Sequence, residues 1–348
     1  MSRILVTGGA GFIGSAVIRH ILDEPSFDGT VLNLDKLTYA ANVRALESVA
    51  DKPAYSFEQI DIADWPAIRR IFRDLQPEIV IHLAAETHVD RSIDDPFEFI
   101  RTNVQGTCNL LHAALEASAS VEQFRFVHVS TDEVYGSMDA GRSALEEDPY
   151  RPNSPYSASK AASDHMARAW HVTFGLPVVV TNCTNNYGPW QYPEKLIPVI
   201  VLNALSGRPL PIYGDGSNIR DWLYVEDHAR AIWLVARRGE MGSNYNISGS
   251  AERSNIEVVK QICAVLDDIK PRNDGVPYSS QIEFVPDRPG HDLRYSLNSD
   301  RIASTLNWQP AVSFEEGMKR TVEWYVENAD ELVRTTQSAF EERRGLRE

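Results

Sequence analysis

Residues 3–14 constrain this chain more than any other stretch. Arg3-Ile4-Leu5-Val6-Thr7 reads as a short buried strand, Gly8-Gly9-Ala10-Gly11-Phe12-Ile13-Gly14 follows at once, and Ser15 to Leu22 reads as a helix. The glycines therefore fall at a strand-to-helix turn. Gly8, Gly11 and Gly14 allow the tight turn, close approach of a pyrophosphate and close helix packing. The helix N-terminus adds amide donors and a partial positive charge for that pyrophosphate. A second apolar strand, Val31-Leu32-Asn33-Leu34, ends in Asp35, 21 positions past the last glycine. A carboxylate there accepts ribose hydroxyls and repels a 2′-phosphate, which favours NAD over NADP.

Strands and helices go on alternating through the first half. Ile79-Val80-Ile81-His82-Leu83 and Phe126-Val127-His128-Val129-Ser130 are continuous apolar runs, fit for strands buried on both faces. Ser154-Pro155 marks a helix start, with a hydroxyl cap and a proline in the first turn. That helix is expected to run to about Phe174-Gly175, with Leu176 to Asn182 as the next strand. The expected fold class is α/β, a Rossmann-type doubly wound parallel sheet with a smaller C-terminal substrate-binding domain. Residues 1–183 would form the NAD-binding domain, with some later segments returning to it. Residues 184–330, richer in short elements, prolines and glycines, would mainly bind substrate. Residues 331–348 read as a polar tail.

Two clusters carry chemistry. Tyr156 and Lys160, four apart on the expected helix, share a face. The ammonium can lower the phenol pKa, so that a phenolate takes a hydroxyl proton as hydride leaves for a nicotinamide. Upstream, Thr131-Asp132-Glu133 sits at the carboxyl end of a strand, where ligands of such sheets bind. Alcohol oxidation alone needs no second acid and base. A site with all of these groups can oxidise, eliminate water and reduce again, which points to a sugar dehydratase. Taken on their own, Asp132 and Glu133 also fit a solvated acidic turn.

Composition excludes other classes. The chain has 348 residues, is 43% hydrophobic and carries a net charge of −15, which argues against a nucleic-acid partner. An anionic substrate would need local cations, so Lys195, Arg220 and Arg288 become candidates. No apolar run approaches the roughly 18 residues of a membrane span. The first strand begins too early to leave room for a signal peptide. Cys108, Cys183 and Cys263 are scattered and suggest neither a disulfide framework nor a zinc site. His82, His88 and Asp90 match no zinc spacing, so no metal is expected. These features fit a cytoplasmic enzyme.

Further segments complete a pattern. They are His82-Leu83-Ala84-Ala85-Glu86-Thr87-His88-Val89-Asp90-Arg91-Ser92, Ser130 to Gly136, Pro155 to Lys160 and Asn185-Asn186-Tyr187-Gly188-Pro189. Pro193-Glu194-Lys195-Leu196-Ile197-Pro198, Arg220 to His228 and Asp287-Arg288-Pro289-Gly290-His291-Asp292 follow. Together with Thr7 to Gly14 they resemble the extended short-chain dehydrogenase/reductase superfamily and, within it, the dTDP-glucose 4,6-dehydratases. The resemblance runs to about Tyr325. Epimerases and decarboxylases of the superfamily share the glycine turn and the Tyr-Lys pair but lack the Thr-Asp-Glu triplet in this form.

The resemblance implies an NAD-dependent hydro-lyase of deoxysugar biosynthesis, acting on dTDP-glucose and paired as a homodimer through helices that include the Tyr156 helix. It implies catalysis by Thr131, Asp132, Glu133, Tyr156 and Lys160. For NAD it implies Gly8, Gly11, Phe12, Ile13 and Gly14 at the pyrophosphate, and Asp35, Lys36, Leu37 and Thr38 at the adenosine ribose. Asp61 and Ile62 would meet the adenine; Leu83, Ala84, Ala85, Thr87, Thr102 and Asn186 would line the nicotinamide side, with Tyr156 and Lys160. For the nucleotide sugar it implies Thr87, Thr131, Asn185, Lys195, Leu196, Pro211, Ile212, Tyr213, Arg220, Asn255, Asp287, Arg288, Pro289, Gly290 and His291. Tyr213 suits an aromatic platform for a base or simple core packing. A UDP-sugar epimerase or decarboxylase, and a silent NAD-binding regulator, remain the alternatives.

Overall fold

The computed structural model describes residues 2–287 and 290–335. The order of elements is β1 (Ser2–Thr7), α1 (Phe12–Asp23), β2 (Gly29–Asp35), the single turn α2 (Glu47–Ala50), β3 (Tyr55–Gln59), α3 (Trp65–Leu75) and β4 (Ile79–His82). Short helices α4 (Val89–Asp94) and α5 (Pro96–Phe99) lead through a π-helical segment, Ile100–Gly106, into α6 (Thr107–Ser118). Then come β5 (Arg125–Thr131), α7 (Pro155–Phe174), β6 (Val178–Cys183), β7 (Asn185–Tyr187), α8 (Leu196–Leu205), β8 (Leu210–Tyr213) and β9 (Ile219–Tyr224). The chain continues through α9 (Val225–Arg238), β10 (Asn244–Ile247), β11 (Glu252–Ser254), α10 (Asn255–Ile269), β12 (Ile282–Val285), α11 (Asp300–Leu306) and α12 (Phe314–Thr335).

Seven strands form one parallel sheet in the order β10-β6-β5-β4-β1-β2-β3. Each central strand is apolar on both faces because both faces are covered. Ile4 and Val6 pack into one core with Ile18 and Ile232, while Leu5 between them packs into the opposite core with Leu110 and Ile68. The chain winds outward from β1 in both directions. The carboxyl ends of β1 and β4 therefore diverge and leave a crevice, the usual ligand site of such sheets.

Helix α1 starts at Phe12, not Ser15, because Gly11 in extended conformation already caps it. Helix α7 follows its sequence signals: Ser154 and Ser157 form a capping box, Pro155 fills the first turn, and Gly175 ends the helix at φ 72°.

Beyond β6 the chain divides its residues between two cores. Helix α9 packs on α1, and β10 pairs with β6 at the edge of the large sheet, so residues 225–247 rejoin the first core. The second core gathers α8, α10 and α12 with a three-stranded sheet, β11-β9-β7, and a two-stranded one, β12-β8. Asp227 clasps the return to α12, accepting from the backbone N–H of Ala311 and Val312 at 2.9 Å each. Of the expected tail, residues 331–335 continue α12 and residues 336–348 lie outside the described part.

Candidate active site

The glycine turn shows why its residues are small. Gly8 has φ +74°, and a Cβ there would stand 2.6 Å from Ala84 N; one on Gly14 would stand 2.2 Å from Gly8 O. These two close the turn against β4 and against itself. Gly11 differs, since a Cβ on it would meet only Gly8 O, at 3.2 Å. Its open side faces a cleft at the carboxyl ends of the strands. No side chain caps α1, so its first amides are left to a ligand, as a pyrophosphate requires. Asp35 takes the N–H of Ala10 at 3.0 Å on one oxygen and that of Leu37 at 2.8 Å on the other. These residues fit NAD.

One cleft gathers most of the predicted residues. Gly8, Gly11, Phe12, Ile13, Gly14, Asp35, Lys36, Thr38 and Ile62 line it, as do Leu83, Ala84, Ala85, Thr87 and Thr102. So do Thr131, Asp132, Glu133, Tyr156, Lys160, Asn185, Asn186 and Lys195. Leu37, Asp61, Leu196, Pro211, Ile212, Tyr213, Arg220, Asn255, Asp287, Gly290 and His291 lie outside this lining. Arg288 and Pro289 lie outside the described residues.

The acid–base groups sit on two adjoining elements. Strand β5 ends at Thr131, and a tight turn, Asp132–Tyr135, follows. Thr131 Oγ1 donates to Asp132 Oδ1 at 3.1 Å and accepts from the Glu133 N–H at 3.3 Å. Burial, reinforced by the neighbouring Glu133, pushes the Asp132 carboxyl well above the usual carboxylate range. Its Oδ2 is buried without a hydrogen-bond partner. An Asp132 carboxyl raised by burial beside the less buried Glu133 gives the pair the asymmetry that acid and base work needs.

Tyr156 and Lys160 lie on α7, and both are buried. The Lys160 ammonium donates to Val129 O at 2.9 Å. The expectation that Lys160 lowers the Tyr156 phenol needs correction. Burial first, then the charge of Glu133, hold the phenol well above its ordinary value, and a hydrogen bond to Thr131 only partly offsets them. In this state Tyr156 is a phenol, so its proton must leave when a compensating positive charge is present.

Arg220 is held in place by the protein itself. Its guanidinium donates to the backbone oxygens of Ile219 at 2.8 Å and Asp292 at 3.0 Å, and stacks 4.4 Å over the Tyr295 ring. Tyr295 itself went unnoticed in the sequence. It is buried, donates to Asp292 Oδ2 at 2.6 Å, and its phenol is pushed up by burial and then by the charge of Glu133. Glu86, Cys183, Gln191, Tyr192 and Glu194 line the cleft as well. Glu194 stands next to Lys195 in a motif from which only Lys195 and Leu196 had been taken as candidates.

Comparison with known proteins follows the same lines. The family model described as GDP-mannose 4,6 dehydratase matches residues 5–321. A dTDP-glucose 4,6-dehydratase of Neisseria meningitidis serogroup B is 55% identical over 336 residues, covering 94% of each chain. The solved dTDP-glucose 4,6-dehydratase DesIV of Streptomyces venezuelae, with NAD and TYD bound, superposes with a TM-score of 0.85 at 48% identity, over 94% of this chain and 98% of that one. A UDP-glucose 4-epimerase of Thermus thermophilus, in complex with NAD, shares the fold with a TM-score of 0.82, over 93% of this chain and 99% of that one, but only 30% identity. Fold alone does not separate epimerase from dehydratase, but identity over nearly the whole length does: the chain belongs to the dTDP-glucose 4,6-dehydratase family.

Proposed function

We infer that the protein binds NAD and converts dTDP-glucose to dTDP-4-keto-6-deoxy-glucose with loss of water. The observation that carries this reading is the convergence on one cleft of the Tyr156–Lys160 pair and of a buried, proton-holding Asp132 beside Glu133. NAD, held by the glycine turn and Asp35, would supply hydride chemistry in which hydride leaves carbon 4 and returns to carbon 6, so none would be consumed.

The chain's own residues handle the protons. Tyr156 serves as base only once its phenol has released its own proton, and it then receives the proton of the 4-hydroxyl, with the Lys160 ammonium one turn along α7 on the same face. Thr131, hydrogen-bonded to the phenol, orients the same oxygen. The 4-ketone acidifies the carbon 5 proton, which Glu133 removes as base. Asp132 protonates the departing 6-hydroxyl as acid, which its raised carboxyl allows near neutrality. The second core, with Arg220, Tyr213 and Asn255, is assigned to the nucleotide sugar. Three unpaired thiols agree with a cytoplasmic setting, and no described helix is long and apolar enough to cross a membrane.

The protein is also assigned as a homodimer, supported by apolar side chains left exposed on α5, the π-helical segment and α7: Phe97 (77%), Ile100 (52%) and Phe174 (53%). Phe97→Glu should shift the sedimentation coefficient to that of a monomer.

The deciding experiment is incubation with dTDP-glucose deuterated at carbon 4. The expected product is a 4-keto-6-deoxy sugar with the label at carbon 6 of the same molecule and solvent hydrogen at carbon 5. Recovery of a 4-epimer without loss of water would favour the epimerase reading instead.

A further inference from the structure

Behind the cleft, α7 buries a third ionisable side chain. Tyr156, Lys160 and Asp164 are spaced four apart, so they stack along one helix face toward β5 and β6. Asp164 is only 3% exposed. Its Oδ1 is 3.0 Å from His128 Nε2, and its Oδ2 accepts from Ser130 Oγ at 2.8 Å and Asn182 Nδ2 at 3.3 Å. Ser163, next on the helix, meets the same His128 nitrogen at 3.1 Å.

The charge balance of this cluster is unusual. Burial, and then the Lys160 charge, hold His128 below its ordinary pKa, so it faces Asp164 as a neutral donor. Ser130 and Asn182 are neutral too. The hydrogen bonds from His128, Ser130 and Asn182 to the buried carboxyl thus all come from uncharged groups. Lys160 is in the matching position, since its ammonium is buried and donates to the neutral carbonyl of Val129, between His128 and Ser130 on β5. A buried ion needs an opposite charge as well as hydrogen bonds.

We propose that Asp164 is the buried counter-charge of Lys160, a positioning residue that holds the ammonium behind Tyr156. This rests on Tyr156 and Lys160 being the acid–base pair of the proposed reaction. Burial acts to strip the Lys160 proton, and among the opposing influences Asp164 stands first, ahead of Cys183. Other ionisable groups also lie near this face. His82 on β4 is neutral, bonded through its ring nitrogens to Thr7 at 2.7 Å and Thr107 at 2.9 Å. Burial keeps the Cys183 thiol on β6 and the phenols of Tyr135 and Tyr150 protonated. Asp132 and Glu133 follow β5; burial raises the Asp132 carboxyl, and the charge of Glu133 raises the phenols of Tyr156 and Tyr295. His165, on α7 itself, lies against the Tyr150 ring at 5.3 Å. The π-helical segment faces α7 with Asn103, whose amide donates to Ser159 Oγ at 2.9 Å.

The test compares Asp164→Asn with Ser130→Ala in the NAD-loaded enzyme. Both disturb one hydrogen-bond network, but only the first removes the charge. With a substrate carrying fluoride at carbon 6, whose departure needs less protonation so that Asp132 does not set the limb, the alkaline limb of the kcat profile should move down by about 1–3 pH units in Asp164→Asn, the effect of losing a close opposite charge. In Ser130→Ala that limb should stay in place even where kcat falls. Equal shifts in both variants, or a uniform loss in Asp164→Asn with an unmoved limb, would overturn the proposal. Should Asp164→Asn not fold, the lysine Nζ resonance that vanishes in Lys160→Met can be followed by NMR in the unmutated holoenzyme. It should report an ammonium throughout the active pH range, and a neutral amine would overturn the proposal. Absence of dehydratase activity in the unmutated enzyme would instead refute the function on which this rests.

Discussion

The Thr131 hydroxyl bridges two roles, donating to Asp132 Oδ1 at 3.1 Å while the same oxygen accepts the Glu133 N–H at 3.3 Å. One residue thereby fixes the acid and the base relative to each other, and its hydrogen bond to Tyr156 ties both to the oxidising end of the site. Such a fixed triplet makes the two carboxyls separable by mutation.

Asp132→Asn removes the acid and leaves Tyr156 and Lys160 intact. Elimination should slow by about 10²–10⁴-fold, the worth of a positioned proton donor. A substrate with fluoride at carbon 6 should rescue this variant, because fluoride needs less protonation. Glu133→Gln should not be rescued comparably, since the carbon 5 proton must still be removed. Equal rescue of both would reverse or remove the assignment.

The pH dependence follows from the raised Asp132 carboxyl. As an acid it works only while protonated, so wild-type elimination should fall as pH rises through its folded pKa. With the fluoro-substrate that limb should flatten. A limb equally steep for both substrates would place the titration elsewhere.

Two glycines of the turn should separate stability from cofactor binding. Gly8→Ala forces a side chain into φ +74° and against Ala84, and should cost about 1–3 kcal/mol of stability, read as a lower Tm. Gly11→Ala meets little protein and should change stability by less than about 1 kcal/mol. It should nevertheless weaken NAD retention by about tenfold or more, because its methyl occupies the pyrophosphate's approach. NAD content after gel filtration reads this directly.

His228 should tie stability to acid. It is fully buried, 2.9 Å from Asn186 Oδ1 through Nδ1, and burial lowers its pKa to about 3. The folded value lies below the unfolded one of about 6.5, so the unfolded chain takes up the proton first. Its contribution is fully present above about pH 6.5 and is lost as pH falls toward the folded value, at about 1.4 kcal/mol per pH unit. His228→Asn should flatten the unfolding free energy against pH by about that slope in the acid range, measured by urea denaturation. An unchanged slope would mean that His228 titrates normally.

Much of this protein is set locally. The strand–glycine–helix unit, the apolar strands and the capping box of α7 depend on backbone rules and two-sided burial, which act over a few residues. Spacing alone puts Tyr156 on one face with Lys160, and puts Asp132 at a strand end. What needed the tertiary structure was whatever depends on meetings between distant segments. The Asp132 carboxyl is pushed up because the fold buries it beside Glu133, and Tyr156 stays a phenol for a similar reason. Tyr295 comes from the far end of the sequence to lie under Arg220, which turns to backbone carbonyls that β9 alone could not reveal. Asp164 resembles any helix carboxylate until β5 and β6 close over it. Desolvation and charge pairing are properties of the assembled interior, so no reading of neighbouring residues could have supplied them.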